Sequence, residues 1–259
     1  RDVGFCGGMS VIQVIIAGTA YSKLAACSTQ NQLFKGTTLS GGGVGSAQID
    51  VTLISPGELP RGAKVELYED GTAQGVFWID TRETDDDGNL VLHGYDAMLR
   101  AEEAYLREGD TGAWPRPADV VVAEIASRMG VEIDPRTQVQ PYLVPLPADY
   151  TMREVLSFVA ASQAANWTMT PEGKLRLIGI NQTGGSLDVG RTMSDFTRSP
   201  GFLPISRVTI WYDDENAFTA GDDTGRTLEL DCPWATQEMA DKALEAVKGY
   251  VYRPYTASN

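Results

Sequence analysis

The first hundred residues alternate apolar and polar positions with a period of two, the pattern of strands with one buried face. Gln48–Ile54 and Lys64–Glu69 alternate in this way, and Val11–Ile16 is a β-branched run. Asp70-Gly71 and Asp85–Asn89 carry the residues of tight turns and predict two hairpins. Short strands at this spacing predict a small β-barrel or sandwich.

The pattern changes to helical spacing after this region. Helices are predicted over Asp96–Arg107 and from Pro117 to Met129, where Gly130 ends the second one. Thr151–Glu154 has the form of a capping box and starts a third helix that runs through Ala164. A strand hairpin around Pro171–Gly173 completes an α/β insert between β regions.

Strands resume near the C-terminus at Arg207–Tyr212 and Arg226–Leu230, and a helix is predicted over Ala235–Tyr250. These strands are too few to close a barrel, so either the chain is truncated or they pair elsewhere. The predicted fold class is α+β. It comprises a β-barrel domain at 9–100, an α/β insert domain at 101–200, and a second, incomplete β-barrel region with the C-terminal helix at 201–259. Met9 is a candidate natural start, which would make the first eight residues a tag or a misassigned start.

Net charge and cysteine usage exclude several classes of function. A formal charge of −14 gives no electrostatic means of holding nucleic-acid phosphates, which requires Lys and Arg. Cys6, Cys27 and Cys232 have no paired spacing and fit reduced thiols, the last two as small core residues. No apolar run reaches the length of a membrane span, so no membrane insertion is predicted.

Two features resemble binding or catalytic motifs only superficially. The cluster Gly41–Gly45 has the glycines of a phosphate loop without its lysine, and it is interpreted as a mobile loop. His93 is the single histidine and lies within a predicted strand, where a hydrogen-bonded structural role is the simplest interpretation.

Acidic clusters are the remaining candidates for metal binding. Asp85–Asn89 resembles a calcium loop, but Leu90 occupies the position where an EF-hand requires glycine, so a hairpin turn explains it better. Asp213–Asn216 and Asp222-Asp223 are candidate calcium ligands only if the fold brings them together. Solvated loop tips are the simpler interpretation of both.

The five tryptophans divide into core residues and candidate sugar-binding residues. Trp78, Trp167 and Trp211 lie in strand patterns and are predicted to be core. Trp114 and Trp234 each lie next to a proline and are the better surface candidates. No motif of a nucleophile, zinc, nucleotide or dinucleotide site occurs, so no catalytic, cofactor or metal residue is assigned and the chain is predicted not to be an enzyme.

A series of motifs, in order along the chain, resembles the tail baseplate hub proteins of phages and prophages. The family has Asp where this chain has Ala63, a harmless departure. The matching segments are Gly62–Tyr68 with Gly75–Asp80, Leu92–Met98, Pro117–Val121, Tyr150–Leu156 and Pro171–Leu175.

The resemblance implies a structural role in the virion tail of a protein made in the bacterial host cytoplasm. Members form a homotrimer around a channel, and each chain contributes two tube-type β-barrels. The ring joins the tail tube or distal tail proteins to the spike or tip, and DNA passes through it without specific binding. The negative charge suggests an acidic lumen that repels DNA.

Three rival hypotheses remain at this point. One is a tail-associated peptidoglycan hydrolase, for which no nucleophile or zinc motif is present. Another is a carbohydrate- or cell-wall-binding tail module that uses Trp114 or Trp234. The third is the hub of a phage-derived injection system, which the sequence does not distinguish from a phage hub.

Overall fold

The chain folds as an α+β protein with a large curled sheet, an α/β insert and a C-terminal sheet-and-helix unit. The structure, a computed structural model, describes residues 11–31, 33, 39–54, 57, 59–109, 112–182, 194–198, 203–253 and 255–258. Cys6 and the proposed start at Met9 lie outside the described residues.

The large sheet contains seven antiparallel strands in the order β2-β1-β5-β6-β7-β4-β3. Alternate side chains of these strands point to one core, as the period of two predicted. That core includes Val14, Ile49, Val65 and Phe77, each at most 3% exposed. The strands are β1 (Ile12–Ile16), β2 (Thr19–Tyr21), β3 (Leu24–Gln30), β4 (Gln48–Leu53), β5 (Lys64–Glu69), β6 (Thr72–Thr84) and β7 (Leu90–Tyr95).

The two edges of this sheet approach each other at one corner. β2 and β3 lie at opposite ends of the strand order, yet only Ser22 and Lys23 separate them along the chain. Three Cα–Cα steps span at most about 11 Å, so the sheet must curl until its edges almost meet. This connection produces the barrel-like shape, which agrees with the predicted β-barrel.

Both predicted hairpins are confirmed. Asp70 and Gly71 have φ of 49° and 77°, the double positive φ that a tight two-residue turn requires. In the second turn Asp85 N donates to the carbonyl oxygen of Asn89 at 3.0 Å, and Gly88 has φ of 81°.

The helix predicted over Asp96–Arg107 is shorter and is a 3₁₀ helix, Ala97–Glu102. The following backbone bonds to another segment instead of continuing the helix. Met152 N donates to the carbonyl oxygen of Glu103 at 2.9 Å, and Tyr105 N donates to that of Tyr150 at 2.8 Å. Tertiary pairing therefore replaces the local helical bonds.

The insert packs two helices on short strands, and its predicted caps are confirmed. The capping box joins Thr151 Oγ1 to Glu154 N at 3.1 Å and Glu154 Oε2 to Thr151 N at 2.7 Å. Gly130 ends the first helix in the left-handed conformation, with φ of 71°. The elements are β8 (Arg116–Pro117), α1 (Ala118–Met129), β9 (Leu143–Val144), α2 (Met152–Ala161), β10 (Ala165–Met169) and β11 (Leu175–Gly179).

The C-terminal unit is a three-stranded sheet with a helix on one face. Its central strand β13 pairs antiparallel with β14 and parallel with β15, and α3 packs against β13 and β14. Thr236 caps α3, which is shorter than predicted. The division of the chain into domains at 9–100, 101–200 and 201–259 stays a prediction. The elements are β12 (Ser194–Arg198), β13 (Ile205–Trp211), β14 (Ala217–Gly221), β15 (Arg226–Asp231), α3 (Gln237–Val247) and β16 (Tyr255–Ser258), with β12 paired to β16.

Candidate assembly surface

β3 forms one edge of the seven-stranded sheet and carries no charged side chain. Its sequence is Leu-Ala-Ala-Cys-Ser-Thr-Gln, and all of it except Leu24 and Cys27 is exposed. Within the described ranges, β4 is the only strand that pairs with it. Natural proteins guard edge strands with charges, proline or shortness, because unpaired N–H and C=O groups attract another strand. β3 lacks these three protections, although its pairing with β4 has a register irregularity between Leu24 and Ala26, and it is our candidate for pairing with another chain.

The other sheet edges differ in how well they are guarded. β2 has only three residues, so it offers little edge. β15 carries Arg226, Glu229 and Asp231, whereas β14 has no charged residue and forms the opposite edge of the C-terminal sheet. β3 and β14 are therefore two uncharged edges in a chain whose net charge is −14.

His93 lies on the outward face of the large sheet and contacts two of its neighbours. Its Nδ1 lies 2.7 Å from Oδ1 of Asp50, which the register places directly opposite on β4. The ring also contacts Tyr95 edge-on, with centroids 4.8 Å apart. This geometry agrees with a structural histidine.

The acidic turn at Asp85 uses its carboxylate to build the turn. Asp85 accepts hydrogen bonds from the backbone N of Asp87 at 3.0 Å and from the backbone N and Nδ2 of Asn89 at 2.8 and 3.0 Å. The Asn89 side chain is the largest cause of the lowered pKa of Asp85, and backbone donors add to it. The hairpin interpretation of this cluster is supported.

The two C-terminal acidic clusters do not come together. Asp213–Asn216 and Asp222-Asp223 lie at opposite ends of β14, whose five residues span about 17 Å. Asp213 accepts hydrogen bonds from the backbone N of Glu215 and Asn216, and the first of these is the main cause of its lowered pKa. Each cluster is therefore a separate surface turn.

The rings of the two candidate sugar-binding tryptophans are occupied by other side chains. The guanidinium of Arg116 lies 4.6 Å from the ring centroid of Trp114. Trp234 is half-buried and packs edge-on against Phe158, with centroids 5.3 Å apart. These contacts occupy part of each ring, and both tryptophans are half-buried.

The predicted core assignments of the other tryptophans hold to different degrees. Trp167 is completely buried, and its Nε1 donates to the carbonyl oxygen of Leu156 at 2.8 Å. Trp78 and Trp211 are half-buried, and the Arg100 guanidinium lies 4.2 Å from the Trp78 ring centroid.

The two described cysteines are free thiols that differ in burial. Cys232 is fully buried, and desolvation raises the pKa of its thiol to about 12. Cys27 is half-buried, and burial raises its pKa as well.

Asp96 has a structural role that the sequence analysis did not predict, although it belongs to the strand-to-helix motif Leu92–Met98. It is 4% exposed and accepts hydrogen bonds from Ser46 Oγ at 2.9 Å, Ala47 N at 2.8 Å and Met98 N at 2.9 Å. Burial raises its pKa, while these donors and the charge of Arg153 oppose the rise. The available signal was an Asp directly after a strand, the position of a helix cap.

The described ranges contain no group of three or more His, Cys, Asp or Glu side chains arranged to hold a metal ion. Across the same ranges, no helix is both long and apolar enough to cross a membrane.

Comparison with solved structures identifies proteins with a similar fold. One is the 43 kDa tail protein of prophage MuSo2 from Shewanella oneidensis, with 14% identity and a TM-score of 0.60 over 95% of this chain and 81% of that one. Another is a tail protein from Neisseria meningitidis MC58, with 12% identity and a TM-score of 0.54 over 91% of this chain and 75% of that one. Neither a protein-family model nor a curated protein matches the sequence. At these identities the similarity shows a shared fold.

Proposed function

We propose that this chain is a structural, non-enzymatic component of a phage or prophage tail. The observation that carries the proposal is the fold similarity to a prophage tail protein over 95% of the chain. The described polar clusters support a non-enzymatic role, because Asp85 and Asp213 use their carboxylates to shape turns.

Within the tail, we propose a homotrimeric baseplate hub that joins the tail tube to the spike or tip. Two observations support a ring. The curled sheet has an unguarded edge at β3, and the C-terminal unit has a second uncharged edge at β14. Contacts between two different edges are heterologous, and heterologous contacts close into rings when the rotation fits.

DNA passage through the ring is consistent with the net charge of −14, because an acidic channel repels phosphates. In the described residues, the turns at Asp85–Asp87 and Asp213–Glu215 each hold three consecutive acidic side chains. An inward face that proves neutral or basic in the assembled ring would contradict this part of the proposal.

The test is electron microscopy of the concentrated protein, with light scattering to count the subunits. We expect three-fold rings with an open centre. The double variant Ala26→Lys with Ser28→Lys places charges on the exposed edge of β3 and should abolish the rings. Gln13→Lys adds one charge at an exposed position of β1, inside the sheet, and should leave the rings intact.

Rings that persist in the double variant would show that β3 is not the contact. Wild-type protein that stays monomeric at high concentration would contradict self-assembly and favour the binding-module alternative. Binding to purified cell-wall glycan that is lost in Trp114→Ala would then support that alternative.

A further inference from the structure

The segment Leu39–Ala47, named here the glycine strap, contacts all three hydrophobic cores. Leu39 is 4% exposed and belongs to the core of the C-terminal unit. Val44 packs against the core of the insert, and Ala47 belongs to the core of the large sheet. One stretch of chain therefore contacts all three cores. The insert and the C-terminal unit are also joined directly, because Ala161, Ala164 and Ile180 belong to the C-terminal core.

The strap is held by hydrogen bonds, in contrast to the mobile loop predicted for Gly41–Gly45. Gly42 N donates to the carbonyl oxygen of Ala165 at 2.8 Å, and Trp167 N donates to that of Gly43 at 2.7 Å. These bonds place the strap beside β10, with Val44 bridged in parallel to Trp167. The strap thus extends the β10–β11 sheet of the insert.

Side chains of the insert complete the attachment. Asn166 accepts from Gly43 N at 2.6 Å and donates to the carbonyl oxygen of Ser40 at 3.0 Å. Ser157 Oγ donates to the carbonyl oxygen of Gly42 at 2.7 Å. At its far end the strap is bonded to Asp96 through Ser46 and Ala47, as described above.

The absence of side chains is what lets the strap lie so close. A Cβ atom at Gly43 would lie 2.6 Å from Oδ1 of Asn166 and 3.0 Å from the carbonyl oxygen of Leu33. One at Gly41 would lie 2.5 Å from Cδ2 of Leu230 in the C-terminal unit. The distances to Asn166 and Leu230 are shorter than those of real Cβ atoms, so an alanine at either position would have to displace the side chain of Asn166 or Leu230.

We infer that the glycine strap is a coupling device that fixes the orientation of the large sheet against the insert. When the strap is bound along β10, the large sheet and the insert move as one body. When the strap is released, each core keeps its own packing and the insert stays joined to the C-terminal unit, while the large sheet becomes free to reorient against them. The inference holds whatever the protein assembles with.

The test combines hydrogen exchange with small-angle scattering on Gly43→Ala. We expect protection at the amides of Gly42 and Trp167 to fall by about tenfold or more, because local opening no longer requires global unfolding. Amides of the large sheet, such as that of Val65, should keep their protection, and the radius of gyration should increase. Gly179→Ala is the matched control, because its Cβ would meet only ordinary contacts at 3.7 and 3.9 Å.

A milder variant covers the case in which Gly43→Ala does not fold. Ser157→Ala removes one hydroxyl bonded to the strap and leaves the strap sequence unchanged, so the same amides should lose protection to a smaller degree. Unchanged protection at Gly42 and Trp167 in a folded variant would overturn the inference. An equal loss at Val65 would overturn it as well, because the strap would then be only one part of a single cooperative core.

Discussion

Asp96 provides the sharpest test of how the large sheet is joined to the rest of the molecule. Its carboxylate receives three hydrogen bonds, two of them from the backbone N–H groups of Ala47 and Met98. Asp96 is 4% exposed, so bulk water has little access to the donors that lose their acceptor when the carboxylate is removed. The perturbation is Asp96→Ala.

The expected loss follows from the groups left without partners. A buried N–H without an acceptor costs about 1–3 kcal/mol, and Asp96→Ala creates two of them. Alanine also removes the cost of burying a carboxylate, which offsets part of the loss. We therefore expect the free energy of unfolding to fall by about 2–4 kcal/mol, a large share of the 5–15 kcal/mol typical of a folded protein.

A second substitution separates the contribution of the charge of the Asp96 side chain to stability from that of its shape. Asp96→Asn can keep the oxygen that accepts from Ser46 and Met98, but it places an amide against the N–H of Ala47. Its loss should be about half that of Asp96→Ala. The exposed Asp86 is the control, and Asp86→Ala should change stability by less than about 0.5 kcal/mol.

The assay is urea unfolding followed by circular dichroism and tryptophan fluorescence, whose transitions must coincide before a free energy is assigned. Because burial raises the pKa of Asp96 above 3.8, the folded state binds its proton more tightly than the unfolded state. The stability of wild type relative to Asp96→Asn should therefore increase as the pH falls from 7 to 4. The reasoning would be refuted if the free energies of unfolding of Asp96→Ala and Asp86→Ala differed by less than about 1 kcal/mol, or if the pH trend were the opposite.

Three further predictions concern single groups. Arg136 lowers the pKa of Asp134, so their pairing should stabilise the fold above pH 3.8 and lose this effect as the pH falls below it. The urea midpoints of wild type and Arg136→Gln should therefore converge below pH 3.8. A difference between the two midpoints that does not change with pH would contradict this. Trp167→Phe loses a buried hydrogen bond and leaves a cavity, so it should lower the free energy of unfolding in urea by about 2 kcal/mol. Trp211 is half-buried, so Trp211→Phe should lower it only a little. Equal losses in the two variants would argue against this prediction. Cys232 should react with a thiol reagent only after denaturation, and rapid modification of the native protein at this residue would show that it is accessible.

The sequence by itself determined the local structure of this protein. The Asp70-Gly71 turn, the Thr151–Glu154 capping box and the end of α1 at Gly130 were all predicted and are confirmed. Each depends on the conformational preferences and polar groups of residues that are close together in the sequence, so the residue types alone indicate it. The period of two likewise identified the buried face of β4 and β5.

The candidate assembly surface was only partly predictable. The lack of charge over Leu24–Gln30 is visible in the sequence, but this strand was not among those predicted. Its position at the edge depends on the strand order β7-β4-β3, and therefore on pairing between residues far apart along the chain. The separation of Asp213–Asn216 from Asp222-Asp223 likewise depends on the strand that forms between them.

Tertiary structure alone decided the roles of Asp96 and of the glycine strap. Gly43 and Asn166 are 123 positions apart, and Ala47 and Asp96 are 49 apart, so no local pattern signals either contact. A run of glycines indicates conformational freedom when it is isolated. In this fold the run is packed between three cores. The same lack of side chains then allows a close approach that holds the chain in place.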